Sequence, residues 1–174
     1  MRLVRYSVAM SLDGYIAGPD GEFDWILMDP DIDFAAMADR FDTHLLGRKS
    51  YEVMQQMPDA PPSPPGVREI VVSRTLDPAQ HPNITIEGDP ERAVRELRAK
   101  QGKEIWLFGG GQLFRSLLAA KLVDRVEVAV IPILLGTGIP LLPSPAERST
   151  LKLLSHRLYE KTGTMLLEYQ VVQS

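Results

Sequence analysis

A chain of 174 residues with 44% hydrophobic and 24% charged residues can bury one sizeable core, so we predict a single domain spanning residues 1–174. With 19 basic and 23 acidic residues the net charge is −4 and no segment carries a run of like charge, which disfavours nucleic-acid binding. Cysteine is absent, which excludes disulfides and thiolate chemistry and fits a reducing cytoplasm. No apolar run approaches the ~18 residues of a membrane span, so we expect a cytoplasmic protein without a membrane partner.

The first predicted strand spans residues 3–10, and its alternation places every second residue from Val4 to Met10 on the face with the larger apolar layer. A loop over residues 11–21 follows, punctuated by glycines but carrying Leu, Tyr and Ile side chains. Such a loop either covers a ligand or is fixed to the core through Ile16.

A helix start is predicted after this loop. Asp29 is a suitable N-cap, Pro30 suits the first helical position, and Asp31 adds negative charge at the positive end of the helix dipole. These residues predict a short amphipathic helix whose apolar stripe runs from Phe34 to Phe41.

Two strands end in basic and hydroxyl residues. The strand at residues 43–46 runs into a helix over residues 51–57, and the strand at residues 68–73 follows a proline tract at residues 58–66 that predicts a stiff surface loop. Cations at such ends can hold an anion by charge-assisted hydrogen bonds, although surface Arg-Lys pairs are common. The residues concerned are Gly47, Arg48, Lys49, Ser50, Ser73 and Arg74.

The segment over residues 104–118 is the central motif of the chain. Its apolar run from Ile105 to Phe108 predicts a strand buried on both faces, and a helix with one apolar face begins directly after three glycines. The glycines at residues 109–111 would present bare N–H groups at the positive end of a helix dipole, where phosphates bind. The alternative is that they only form a tight turn.

The remaining pattern predicts a strand at residues 83–87, a helix at 90–100 and a long strand at 123–135. Two further runs at 151–159 and 164–172, separated by a short turn, predict an antiparallel hairpin. Strands that alternate with helices define an α/β protein. We therefore predict a three-layer α/β/α domain with a mainly parallel central sheet and a C-terminal antiparallel hairpin, with ligands beyond the carboxyl ends of the strands.

The three strand-end groups together suit a dinucleotide, because the glycines can bind a pyrophosphate and the cations can bind an extra monophosphate. A Rossmann site does not fit. Its glycine motif should follow the first strand, and here the first strand leads to SLDGYIAG.

Five segments, in order, resemble the dihydrofolate-reductase-like superfamily, and in particular the RibD C-terminal domain family, the reductase part of a bifunctional deaminase-reductase. They are VAMSLDGYIAG (8–18), LLGRKSYE (45–52), VVSRTL (71–76), LFGGGQLFRSLL (107–118) and VDRVEVAVIPILLGTGIPLL (123–142). The resemblance covers nearly the whole chain. It implies a dihydrofolate-reductase-like fold, NADPH as the cofactor, a small-molecule substrate and a homodimer.

The resemblance also implies where NADPH binds. Around the adenosine ribose and its 2′-phosphate it places Gly47, Arg48, Lys49, Ser50, Ser73 and Arg74. At the pyrophosphate it places Gly109, Gly110, Gly111, Gln112 and Leu113, with Phe108 beside them as a further cofactor contact. Near the nicotinamide it places Ala9, Ile16 and Gly18.

Two carboxylates are candidates for the proton route that accompanies hydride transfer. Asp13 lies in the SLDG turn, where the riboflavin-pathway reductases also carry an aspartate on the substrate side. Asp31 lies 16 residues before Gly47, a separation similar to that of the catalytic acid in true dihydrofolate reductases. Asp13 could equally form a turn and Asp31 cap a helix; of the two, Asp13 is preferred.

The chain departs from the bifunctional enzyme in two ways. Without cysteine, and with only His44, His81 and His156, it has no zinc-deaminase module, and no metal site is expected. The stretch EFDWILMDPDIDF replaces the substrate segment of the dedicated reductases. The activity implied by resemblance is reduction of 5-amino-6-(5-phosphoribosylamino)uracil in riboflavin biosynthesis. The alternatives are a dihydrofolate-type pterin reductase and, from another class, a non-catalytic nucleotide-binding module.

Overall fold

A computed structural model describes residues 1–56 and 64–173. The strands are β1 (Val4–Ser11), β2 (Tyr15–Ala17), β3 (Phe41–Gly47), β4 (Arg68–Val72), β5 (Thr85–Glu87), β6 (Glu104–Gly109), β7 (Arg125–Ile131), β8 (Ile139–Pro140), β9 (Leu151–Tyr159) and β10 (Thr164–Val171). The helices are α1 (Phe34–Asp39), α2 (Arg48–Gln56), α3 (Pro90–Arg98) and α4 (Gly111–Ala119), with a short 3-10 helix at Pro78–Gln80.

Over the described residues, eight strands form the central sheet in the order β5-β4-β3-β6-β1-β7-β10-β9, and β2 pairs with β8 separately. The strands from β5 to β7 are parallel, whereas β10 is antiparallel to both β7 and β9. This sheet confirms the predicted α/β class, the mainly parallel sheet and the C-terminal hairpin. The parallel order brings the carboxyl ends of β3, β4, β6, β1 and β7 to one edge, where the loops that carry chemistry begin.

Helices α3 and α4 cover one face of the sheet. The even residues of β1 point into this layer, where Val4 and Tyr6 are fully buried, and the Tyr6 ring stacks on Phe114 of α4 with ring centroids 4.0 Å apart. Leu117 of α4 and Val94 of α3 fill the same core. Burying each of these side chains contributes about 1.5–3 kcal/mol, which fixes the start of α4 at the edge of the sheet.

The opposite face is covered by α2 over β3 and β4, where Tyr51 packs on Leu46 and Val71. This second helical layer confirms the three-layer arrangement. It does not bury β6 completely, since Trp106 and Phe108 stay partly exposed while Ile105 and Leu107 are buried. The prediction that residues 105–108 are buried on both faces was therefore wrong.

The predicted helix start at Asp29 was also wrong. Helix α1 begins at Phe34, and its N-cap is Asp33, whose carboxylate accepts from the Ala36 N–H. The Asp29 carboxylate instead accepts from the backbone N–H and the hydroxyl of Thr162, in the turn between β9 and β10, each at 3.0 Å. Asp29 is therefore a long-range anchor. Phe41, expected on the helix stripe, is the first residue of β3.

Two other boundaries differ from the prediction. Strand β7 ends at Ile131, because Pro132 has no N–H to continue the ladder. Part of the predicted loop at residues 11–21 forms β2, which pairs with β8 beyond β7. Residues 57–63, which hold most of the proline tract and the predicted end of the helix at Met57, lie outside the described residues.

Candidate functional site

The ends of β3 and β4 and the starts of α3 and α4 border an open cavity of about 560 Å³. Six of the residues singled out in the sequence line it, namely Gly47, Arg48, Ser73, Arg74, Gln112 and Leu113. Five residues that sequence reasoning missed complete the wall, namely Val72, Thr75, Gly88, Pro90 and Ser116. The Gly-Asp-Pro motif at residues 88–90 was read only as a helix cap, yet it also brings the start of α3 to the cavity.

The glycine junction lies beside the cavity, where the starts of α2 and α4 meet. A Cβ on Gly47 would lie 3.5 Å from the carbonyl oxygen of Gly109, and one on Gly110 would lie 3.4 Å from Ser50 Oγ. On Gly111 a Cβ would come within 2.9 Å of the Pro140 carbonyl oxygen and of Pro143 Cδ. The contacts at Gly47 and Gly110 would be close to ordinary, whereas the approach at Gly111 leaves no room for a Cβ without a shift of the backbone.

The start of α4 has the properties of an anion site. Its N-cap is Gly110, which has no side chain to accept hydrogen bonds from the first turn. The N–H groups of Gln112 and its neighbours are therefore left to a ligand or to water, at the positive end of the helix dipole. Gln112 and Leu113 of this first turn line the cavity directly.

Arg48 and Arg74 supply cations on the cavity wall, and Lys49 is next to Arg48 in the chain but does not line the cavity. Lys49 and Arg74 are exposed, and within the described part of the chain their side chains make no hydrogen bond or ion pair. Arg48 pairs with Glu52 at 2.9 Å. The Ser73 hydroxyl accepts from the backbone N–H groups of Thr75 and Leu76, and so shapes the turn that carries Arg74.

The residues expected near a nicotinamide lie apart from this cavity, at the end of β1. Ala9 is in β1 and its neighbour across the strand pair is Ala129 of β7. Ile16 lies in β2, which contacts β1. Gly18 follows β2, and a Cβ there would overlap the Glu22 carboxylate. Phe108 lies on the α2 side of β6, outside the cavity wall.

Asp13 connects two loops at this end of the sheet. Its carboxylate accepts from Ser11 Oγ at 2.6 Å, from the Leu135 N–H at 3.1 Å and from the Gly136 N–H at 2.7 Å. The hydrogen bond from the Ser11 hydroxyl has the largest effect and lowers the pKa of Asp13; burial opposes it, and the N–H groups of Gly136 and Leu135 add to the lowering, so that the pKa is below its ordinary value. Asp13 is therefore ionised at neutral pH and fixed in orientation.

Asp31 and Asp29 lie together at the turn between β9 and β10. Asp31 is exposed and pairs with Lys161 at 2.8 Å. Asp29 is only 1% exposed, and although burial opposes its ionisation, the donors from Asp31 N–H and Thr162 lower its pKa. Sequence reasoning chose Asp31, whereas the buried carboxylate of the pair is Asp29.

The arrangement combines arginines and an uncapped helix start at one end of a sheet edge with a fixed carboxylate at the other. No group of three or more metal-binding side chains occurs in residues 1–56 and 64–173. In the same ranges, no helix has the length and apolar character required to cross a membrane.

The fold and the strand-end site define an α/β domain of the dihydrofolate-reductase type. More particularly, the chain belongs to the RibD C-terminal domain family, whose model matches residues 2–164. The chain is similar to the uncharacterized protein YyaP of Bacillus subtilis (strain 168), with 32% identity over 97% of this chain and 94% of that one.

Two solved structures show the same fold. A putative riboflavin biosynthesis protein from Shewanella sp. PV-4 has a TM-score of 0.83 and 23% identity, and the match covers 99% of this chain and 100% of that one. Dihydrofolate reductase from Enterococcus faecalis, complexed with NADP(H), has a TM-score of 0.72 and 18% identity over 98% and 97% of the two chains.

Proposed function

We propose that the protein is an NADPH-dependent oxidoreductase that transfers a hydride to a small heterocyclic or carbonyl substrate. The observation that carries this proposal is the cavity at the ends of β3 and β4, which joins two arginines, Arg48 and Arg74, the latter unpaired among the described residues, to an uncapped helix start. A dinucleotide with an additional phosphate needs both features within one continuous site. Membership of the RibD C-terminal domain family and the NADP(H) complex of a structural neighbour support it.

In this proposal Arg48, Lys49 and Arg74 bind the 2′-phosphate, with Ser50 and Ser73 supporting the turns that present them. The first turn of α4 binds the pyrophosphate through its N–H groups. The nicotinamide lies against Ala9, where the small side chain leaves room for a flat ring, with Ile16 and Gly18 above it. Bound NADPH would supply the hydride.

The product also needs a proton, and we assign Asp13 to its supply. An ionised carboxylate with a low pKa is a poor acid, but it can order a water molecule that delivers the proton. Its bonds to Ser11, Leu135 and Gly136 fix it at the end of β1 beside the proposed nicotinamide site. Asp31, held by Lys161, remains the second candidate.

The substrate follows from resemblance rather than from geometry. Reduction of 5-amino-6-(5-phosphoribosylamino)uracil is the activity to test first, and a dihydropterin is the alternative. A non-catalytic nucleotide-binding module would bind NADPH without oxidising it in the presence of either substrate. Oxidation of NADPH in the presence of these substrates therefore separates the three functions.

We further propose that two copies of the chain associate through β9. This strand forms one edge of the sheet, all residues from Leu151 to Leu158 are exposed, and the register places Leu151, Leu153 and Leu158 on one face. A long apolar edge strand is a pairing hazard unless a partner covers it. Sedimentation should show a dimer that Leu153→Glu converts to a monomer; an unmodified chain that sediments as a monomer would refute the dimer.

The first experiment is thermal unfolding with NADPH and, as the control, with NADH. A ligand at about 100 times its Kd stabilises the native state by roughly 2.7 kcal/mol, which is a clear rise in Tm. We expect the rise with NADPH to exceed that with NADH, because only NADPH carries the 2′-phosphate. The absence of any rise with either nucleotide would refute the oxidoreductase proposal.

A further inference from the structure

The face of the sheet opposite α3 and α4 is open at its centre. Ser7 and Ala9 of β1 and Ala129 of β7 are partly exposed there, although β1 and β7 are central strands of an eight-stranded sheet. On the other face α4 buries Tyr6 and Val128 of the same strands, while Val8, Met10 and Val130, nearer the carboxyl ends, are partly exposed. A partly exposed residue at the centre of a sheet means that the layer above it has a gap.

The floor of this gap can hold a flat ring. Ala9 and Ala129 are register partners and carry the smallest side chains on this face of the two strands. Trp106 and Phe108, on the neighbouring strand β6, are also partly exposed, with ring centroids 5.0 Å apart. Small side chains flanked by aromatic rings are typical of a pocket for a planar ligand.

Arg40, the residue between α1 and β3, extends across this face of the sheet to Glu127 of β7. Its Nη2 donates to both carboxylate oxygens of Glu127, at 3.2 and 3.0 Å, and its guanidinium lies 5.2 Å from the centroid of the Phe41 ring. Glu127 is the residue two before Ala129 and points to the same face, about 7 Å away along the strand. The guanidinium is therefore held next to the alanine floor.

Glu127 is itself rigidly fixed. It is 3% exposed, and it accepts from Ser7 Oγ at 2.7 Å and from Arg5 Nη1 at 3.3 Å. Because these donors come from β1, the orientation of the carboxylate is set by the sheet. The orientation of the Arg40 guanidinium is set in turn by Glu127.

Arg40 has hydrogen-bonding capacity that the protein does not use. Its Nε is buried and has no acceptor, while 36% of its side chain is exposed. Leaving a buried donor on a charged group without an acceptor is unfavourable, and such atoms in native structures call for a missing partner. Part of the Arg40 side chain is open to a ligand on this face, whereas the buried Nε is not the atom that such a ligand would meet.

The charge around Arg40 indicates which kind of ligand oxygen it can bind. Arg5 and Arg40 share one network with three carboxylates, those of Glu104, Glu127 and Glu168. The network has one more negative charge than positive. It therefore favours an uncharged carbonyl oxygen over a phosphate or a carboxylate.

We propose that Arg40 determines specificity by donating a hydrogen bond to a ring carbonyl oxygen of the substrate, and that Glu127 is the residue that positions it. The inference rests on the proposed function, since it assumes that the substrate ring lies on Ala9 and Ala129 beside the nicotinamide. The inference adds Arg40 as the residue that distinguishes a ring with an oxo group from the same ring with an amino group.

The experiment compares ligands that differ at one ring position, by calorimetry on the NADP⁺ complex near neutral pH, where the rings of all four ligands are largely uncharged. The matched pairs are folic acid with aminopterin, and 5,6-diaminouracil with 4,5,6-triamino-2-pyrimidinone. In each pair one oxo group is replaced by an amino group, which cannot accept from Arg40. We expect at least one oxo ligand to bind about tenfold more tightly than its partner, the effect of one hydrogen bond from a charged donor.

Arg40→Met should abolish this preference while leaving the affinity for NADP⁺ unchanged, and Arg40→Lys should retain part of it. The matched control is Arg98→Met, which also removes a largely buried arginine from an ion pair, here with Asp124, away from this face. Arg98→Met should keep the full preference. Glu127→Gln should weaken the preference without removing the guanidinium.

The outcomes separate the proposal for Arg40 from the proposal that the protein binds NADPH. If Arg40→Met, or Arg40→Lys should the Met variant fail to fold, keeps the full oxo preference, then Arg40 is only a structural ion-pair residue. If the unmodified protein binds NADP⁺ but none of the four probes, the assignment of Arg40 is overturned and the cofactor proposal stands. If it fails to bind NADP⁺, the proposed function falls first.

Discussion

The two halves of the sheet edge hold their charges differently. In the proposed cofactor half, at the ends of β3, β4 and β6, Lys49 and Arg74 have no partner among the described residues. In the proposed substrate half, over β1, β7 and β10, Asp13 accepts three donors and Arg40 is bound by Glu127. One half presents charge that a ligand must neutralise, and the other has its polar groups oriented before any ligand arrives.

This difference indicates a division of labour. Unpaired cations contribute affinity, because a phosphate gains charge-assisted hydrogen bonds without displacing an existing partner. Groups fixed by the protein contribute orientation, because they need no rearrangement when the substrate binds. Changes in the cofactor half should therefore alter binding of NADPH, and changes in the substrate half should alter turnover.

The largest effect is expected from Gly111→Ala in the cofactor half. The new Cβ would come within 2.9 Å of Pro140 and Pro143, so the start of α4 must shift, at a typical cost of about 1–3 kcal/mol of stability. We expect the Kd for NADPH to rise more than about tenfold, because the phosphate-binding N–H groups move with the helix.

The control for this variant is Gly88→Ala, also in the cavity wall. Its Cβ would lie 3.7 Å from Arg74 Cγ, an ordinary contact, so NADPH should bind nearly as well as to the unmodified protein. Fluorescence titration well below the Tm measures the Kd for NADPH of both variants. If Gly111→Ala binds NADPH normally, the α4 start is not the pyrophosphate site.

Arg74→Gln tests the same half of the sheet edge by removing one of its cations. Loss of one guanidinium should raise the Kd for NADPH about tenfold and leave that for NADH unchanged, because only NADPH has the 2′-phosphate. Arg92→Gln, an exposed arginine of α3 paired with Glu87, is the control and should change neither. Equal losses for both nucleotides would place Arg74 elsewhere on the cofactor.

Asp13→Asn tests the substrate half. The amide keeps one acceptor but loses the charge that its three donors stabilise, so we expect a lower Tm and a lower kcat. The Kd for NADPH should change less than about twofold if the two halves are independent. The pH-rate profile identifies the role of Asp13. An unchanged profile indicates a water-ordering anchor, whereas loss of a fall in rate with rising pH would show that Asp13 itself donates the proton.

A smaller effect is expected from His44, which is buried edge-on against Trp106 beside the open face. Burial lowers the pKa of His44, against a smaller opposing effect of Glu69. The unfolded chain takes up a proton near pH 6.5, whereas the folded protein does so only at lower pH. The free energy of unfolding should therefore fall as the pH drops below about 6.5, by at most ~1.4 kcal/mol per pH unit.

His44→Phe should remove this slope, and His156→Phe, on exposed β9, should not. Urea unfolding between about pH 7 and pH 5 measures how the free energy of unfolding changes with pH. An unchanged slope in His44→Phe would mean that another group controls the acid response.

The same comparison explains what the sequence could predict. The cofactor half is built from contiguous motifs, so residues 47–50, 73–74 and 109–113 could be found as patterns of glycine, hydroxyl and cation. The bounds of β9 and the start of β10 were also predicted correctly, because a turn and regular alternation lie within the hairpin itself. In these segments the residues that determine the structure are close together in the chain, so the sequence pattern was sufficient to predict it.

The substrate half depends on contacts between distant parts of the chain. Asp29 resembles a helix cap until Thr162, 133 residues later, takes its carboxylate. Gly136 meets Asp13 across 123 residues. The partial exposure of Trp106 depends on where α1 and α2 lie, which the apolar run at residues 105–108 does not encode. Arg40 stands in no recognisable motif, and Glu127 lies in the motif at residues 123–142 without any pattern that would indicate its ion pair with Arg40, so neither could be proposed from sequence.

The Arg5 network also has a consequence for how the protein is made. Arg5 leaves the ribosome early, and Glu168, which accepts from it at 2.6 Å, is synthesised 163 residues later. Until β10 emerges, the nascent chain carries a central strand whose guanidinium lacks one of its carboxylates. The open face can therefore assemble only after translation of the hairpin, while the β3–β4–β6 region can form earlier.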